Sequence, residues 1–192
     1  MTFQQIWLAA SLVFATLPTA AQTATSPVVT LSPVHTIDVL DVPRYMGTWY
    51  EIAKFPNRFQ RQCVANTRAQ YLAQTDGSVQ VLNSCVSVDG RTIDALGLAK
   101  QVGPATSPKL QVRFAPTWLS WLPMVWGDYW VIDLDADYRL AAVSDAKREY
   151  LWVLSRTPQV DAMAYGALLE RLKAQNFDVQ KLERTVQTSA TR

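Results

Sequence analysis

The chain contains a single histidine, two cysteines and no run of basic residues, and each scarcity closes off a class of function. His35 has neither a second histidine nor a free cysteine beside it, so no metal site can be assembled around it and no Ser/His/Asp set can form. A glycine-rich phosphate loop is missing as well. The 18 lysines and arginines are scattered and leave a net charge of only +2, which argues against a nucleic acid partner. No cofactor, metal or catalytic residue is expected, and the chain reads as a non-enzyme.

An uncharged apolar run at residues 6–17 is short for a bilayer span and ends in Pro18-Thr19-Ala20-Ala21, small residues suited to cleavage. Residues 1–21 are read as a signal peptide. An uncleaved anchor is the alternative, because residues 1–5 carry no lysine or arginine. Residues 22–40, rich in Ser, Thr, Pro and Val, read as an irregular lead-in.

What is present is enough apolar material, 49% of 192 residues against 18% charged, for one domain with a sizeable core. That domain is expected over residues 41–186, followed by a flexible tail at 187–192. Short β-runs at 49–55, 64–72, 78–86, 92–100, 109–114, 129–134, 140–144 and 150–155 alternate with turn chemistry. The separators include Asp76-Gly77, Asp89-Gly90, Gly103-Pro104, Asp135-Ala136-Asp137 and Asp145-Ala146-Lys147-Arg148. Eight evenly spaced antiparallel strands predict an all-β up-and-down barrel wide enough for one small ligand. Gly47-Thr48-Trp49 opens the first strand, and its indole is placed to plug one end of the rolled sheet.

Alternation assigns faces. Leu110, Val112 and Phe114 share a face opposite Gln111 and Arg113, while 129–132 and 150–154 are apolar on both faces, so something must cover the outside. The cover is a helix at about 158–175. Thr157 is expected to cap it with Pro158 in first position, and Val160, Met163, Ala164, Ala167, Leu168 and Leu172 supply its apolar stripe. Residues 177–186 then return as an extended tail. Cys63 and Cys85 bracket a hairpin and are read as one disulfide, against two alternatives: a pair of buried thiols, or a reactive Cys63 thiolate.

Three segments, 47–51, 133–138 and 151–158, occur in the order of the lipocalin signature regions. Over about residues 39–178 the chain resembles the lipocalins, and the bacterial subgroup in particular. The resemblance implies an eight-stranded calyx open at one end, with Gly47, Trp49 and Arg156 as its structural signature and Arg156 laid across the indole. It also implies a lipid cargo, a fatty acid or lysophospholipid, used in transport, storage or membrane maintenance. Many bacterial relatives carry a lipid anchor, whereas no cysteine lies near the cleavage region here. The expected location is therefore the periplasm, after secretion across the inner membrane, without a lipid anchor and at most peripheral to the outer membrane.

The family places Trp152 in the pocket. Strand parity then adds Tyr150 and Leu154, and by the same logic Tyr129, Val131, Leu110, Val112 and Phe114. An interior filled by side chains is the competing reading, against which the small residues of 95–99 argue. Trp118, Trp121 and Trp126 lie in an uncharged connection at 118–126 that is expected to fold over the barrel mouth or to touch a membrane. Glu51, Asp133, Asp135 and Asp137 are read as solvated turn and rim residues. A monomer or weak dimer is expected.

Overall fold

Eight strands follow one another in sequence order round a closed antiparallel sheet in the computed structural model, which describes residues 32–115 and 125–188. They are β1 (Gly47–Lys54), β2 (Cys63–Ala73), β3 (Val79–Ser87), β4 (Thr92–Gln101), β5 (Lys109–Arg113), β6 (Gly127–Leu134), β7 (Leu140–Ser144) and β8 (Leu151–Ser155). β1 pairs with β8 on one side and β2 on the other, which closes the sheet and removes its free edges. All eight expected β-runs are strands. Their ends differ by a residue or two, so Phe114 and Tyr150 fall just outside β5 and β8.

The β1–β2 pairing extends only from Gly47↔Tyr71 to Tyr50↔Arg68. Beyond it the C-terminal segment fills the seam. A two-residue strand, β9 (Glu183–Arg184), pairs antiparallel with Ala53 and Lys54, and Val186 bridges in parallel to Ala65 of β2. The expected extended tail is thus interrupted by a 3₁₀ turn at Val179–Lys181 before it reaches the seam. Gln187 and Thr188, expected to be flexible, are tied down: Gln187 Nε2 donates to the carbonyls of Glu51 and Thr67, each at 2.8 Å, and Thr188 N donates to Asn66 Oδ1. The expected signal peptide lies outside the described residues.

Two helices frame the barrel. α1 (Val42–Tyr45) is a single turn capped by Asp41, whose carboxylate accepts from Arg44 N. α2 (Ala162–Ala174) lies on the outer wall, where Leu168 and Leu172 are buried among Ile52, Ile132, Leu151 and Val153. It starts later than expected. Asp161 is its N-cap, accepting from Ala164 N at 2.9 Å, whereas Thr157 Oγ1 donates to Gln159 O in the preceding turn. The shifted start changes the buried stripe to Tyr165, Leu168, Leu169 and Leu172, spaced i, i+3, i+4, i+7. Met163, Ala164 and Ala167 accordingly face out, with Met163 82% exposed. Among the described residues the apolar core forms two layers, one inside the barrel and one between its wall and α2.

Candidate ligand site inside the barrel

The base is built from α1, β1 and the residue after β8. Gly47 joins α1 to β1 with φ +93°, a conformation that side chains disfavour, and a Cβ there would lie 3.4 Å from Arg156 Nη1. Trp49, two residues on, is fully buried, and its Nε1 donates to the carbonyl of Tyr45 at 2.8 Å. The Arg156 guanidinium sits 4.0 Å from the indole ring centre. Its nitrogens donate to the carbonyls of Tyr138, Thr48 and Arg44, at 3.2, 3.1 and 2.7 Å. The three carbonyls belong to different parts of the base, so one side chain ties that end of the barrel together.

Above this plug the wall loosens toward the other end. Trp49, Val131 and Val143 are wholly buried, Leu110 and Leu154 nearly so, and Val112, Tyr129 and Trp152 pack against them while keeping accessible surface. The β4 face that carries Ala99, Gly97 and Ala95 passes from buried to half-buried to exposed. Register sets Ala99 and Gly97 beside Val79 and Val81, both interior residues, so this gradient runs along the lumen. Phe114, 43% exposed, lays its ring over Gly97, where a Cβ would come within 2.7 Å of it. Tyr150 stacks on Trp152 at 5.7 Å and meets Phe59 at 5.6 Å. Of the eight expected pocket residues, six belong to the interior cluster, while Phe114 and Tyr150, just past the strand ends, lie outside it and touch Gly97 and Trp152.

Two polar groups inside the barrel escaped sequence reading. One is a set of three phenols: Tyr129 Oη lies 2.9 Å from Tyr45 Oη and 2.9 Å from Tyr71 Oη. Burial pushes all three hydroxyls above their ordinary values, that of Tyr71 to about 12, so they stay protonated. The Asp41-Val42-Pro43 capping pattern that forms α1, and so delivers Tyr45, was the available sequence signal.

The other is Glu51, which corrects an expectation: it is 2% exposed and no solvated rim residue. Its carboxylate accepts from Gln60 Nε2 and Thr185 Oγ1, both at 2.5 Å, and Gln60 Oε1 in turn accepts from Trp152 Nε1 at 3.0 Å. Glu51 therefore joins the β1–β2 connection, the C-terminal seam and the pocket wall. Burial raises its pKa, against the opposing pull of Thr185, Gln60 and Lys54. A carboxyl with a raised folded value adds stability that is full below its unfolded value, about 4.3, and is lost as pH rises through the folded one. Glu51→Gln should therefore raise Tm by a few degrees near pH 7.5 and hardly at all near pH 4. An equal change at both pH values in thermal melts would contradict this.

Asp135 and Asp137 lie in the turn between β6 and β7, whereas Asp133, expected to be solvated with them, is the penultimate residue of β6 with its side chain only 12% exposed. Asp133 accepts two bonds from Arg171 of α2, at 2.6 and 2.9 Å, and Asp135 Oδ1 caps the turn before β7 by accepting from Arg139 N and Leu140 N. Cys63 and Cys85 form a disulfide, so neither sulfur is a thiolate nucleophile in this structure. Trp118 and Trp121 lie outside the described residues. Trp126 sits with the cations of Lys100 and Arg113 at 5.5 and 5.2 Å from its ring centre.

A closed eight-stranded meander, sealed at its base by an indole and accessible at its other end, defines a calyx-type β-barrel. A family model described as a lipocalin-like domain matches residues 40–187. The chain is 42% identical over 151 residues to temperature-induced lipocalin-1 of Arabidopsis thaliana, covering 78% of this chain and 80% of that one. It is 36% identical over 149 residues to the outer membrane lipoprotein Blc of Escherichia coli K12, covering 77% and 80%. The structure of insecticyanin from Manduca sexta shares the fold at a TM-score of 0.64 and 20% identity, covering 84% of this chain and 88% of that one. The chain belongs to the lipocalin family. Members of this family are in general carriers that bind small hydrophobic ligands.

Proposed function

We propose that the protein binds a single-chain lipid, a fatty acid or lysophospholipid, in the barrel lumen and carries or stores it within the bacterial envelope. The observation that carries this reading is the gradient of accessibility along the inner wall, from buried Trp49 and Val131 to partly open Val112 and Trp152. Such a wall takes up hydrocarbon through apolar burial, at roughly 25 cal/mol per Å², with little dependence on chain identity. Loose selectivity follows. The Cys63–Cys85 disulfide supports residence in an oxidising compartment such as the envelope.

Native mass spectrometry of protein purified from cells, followed by lipid extraction, tests the proposal. A co-purifying fatty acid or lysophospholipid is expected, together with quenching of tryptophan emission when delipidated protein is titrated with palmitic acid. A clean apo mass with no response to any single-chain lipid would overturn it.

A further inference from the structure

The three phenols at the base of the lumen hold one more proton than they can use among themselves. Tyr45, Tyr71 and Tyr129 bring three O–H groups, yet they share only two hydrogen bonds, both centred on Tyr129 Oη. Whichever way those two bonds point, one O–H is left over, and no other hydrogen-bond partner for these hydroxyls occurs among the described residues. Tyr45 and Tyr71 are 3% and 7% exposed, whereas Tyr129 keeps accessible surface. If both neighbours donate to Tyr129, its own proton is the one left without an acceptor. A donor inside an apolar chamber loses hydration and gains nothing until an acceptor arrives.

We propose that this cluster is a subsite for a terminal carboxyl or carbonyl oxygen, so that a fatty acid lies in the barrel oxygen end down and tail toward the mouth. This rests on the container reading and adds direction to it. The phenols present a neutral donor, since burial keeps them protonated. The Tyr45 ring rests on Trp49 at 4.8 Å and beside Tyr71 at 5.8 Å, which leaves the floor aromatic and closed. A phosphoglycerol headgroup is too bulky and too strongly hydrated for such a floor. A lysophospholipid must therefore enter chain first, and its affinity should not depend on the Tyr129 hydroxyl.

The experiment has two arms. In the first, tryptophan quenching gives affinities of wild type and Tyr129→Phe for palmitic acid and for palmitoyl-lysophosphatidylcholine. A loss of about tenfold is expected for the acid, the scale of one hydrogen bond, with no change for the lysolipid. In the second, palmitate labelled with carbon-13 at its carboxyl is bound to the wild-type protein and exposed to a soluble paramagnetic agent. The carboxyl carbon should be shielded. Relaxation of that carbon as strong as at an exposed position, or an equal loss for both lipids in Tyr129→Phe, would overturn the orientation while leaving the container reading intact. Failure of wild type to bind either lipid would instead overturn the container reading, and the subsite with it.

Discussion

Replacing Trp49 with alanine should lower the unfolding free energy by about 3–5 kcal/mol, the range for a buried aromatic truncated where the surroundings cannot collapse. The base has little freedom to collapse. Trp49 is fully buried between the Tyr45 ring, at 4.8 Å, and the Arg156 guanidinium, at 4.0 Å, and Arg156 is held in place by three backbone carbonyls. Loss of the indole leaves a void above a cation that has lost its aromatic face, and opens the lumen floor to water from below. Trp49→Phe keeps an aromatic face and most of the volume, so it should lose less than half as much. Urea unfolding of the three proteins measures this, and a Trp49→Ala midpoint close to wild type would show that the plug has no part in stability.

Loss of the disulfide should be the next largest effect. Cys63 and Cys85 are separated by 22 positions, and removing a cross-link of that span lowers stability by about 3 kcal/mol in the chain-entropy model. The location adds to the consequence. Register shifts between Cys63 and Ala65, and again between Ala65 and Arg68, break the β2–β3 ladder where the bond sits, so the bond holds a stretch with interrupted pairing. In a Cys63→Ala/Cys85→Ala double variant the urea midpoint should fall and m should rise, because the denatured chain expands once the loop is opened. Hydrogen exchange should quicken at 63–68 and 84–87 before it changes near Trp49. An unchanged midpoint would assign the stability of the open end to the C-terminal seam, through Arg184 on β1 and Val186 on β2.

Most of the barrel was legible because a half-buried strand repeats every two residues, and turn residues such as Asp76-Gly77 and Asp89-Gly90 mark where each run stops. The same parity put Leu110, Val131 and Leu154 on one interior face. It was weaker for α2, since Thr157-Pro158 reads as a helix start, whereas the helix that docks Leu168 and Leu172 is capped by Asp161. Glu51 shows the opposite difficulty. A glutamate at an interior strand position has no local mark of burial, because its partners Gln60 and Thr185 come from 9 and 134 positions away.

By itself, then, the sequence determined the strand count and the interior parity, which are written in short-range periodicity, while the closing indole and the family resemblance were carried by three signature segments. Only the tertiary structure decided that the C-terminal segment would fill the β1–β2 seam, that Glu51 would be enclosed, and that tyrosines from α1, β2 and β6 would join hydroxyls. Those features depend on contacts between residues far apart in the chain, and no local pattern records which distant groups closure of the sheet will bring together.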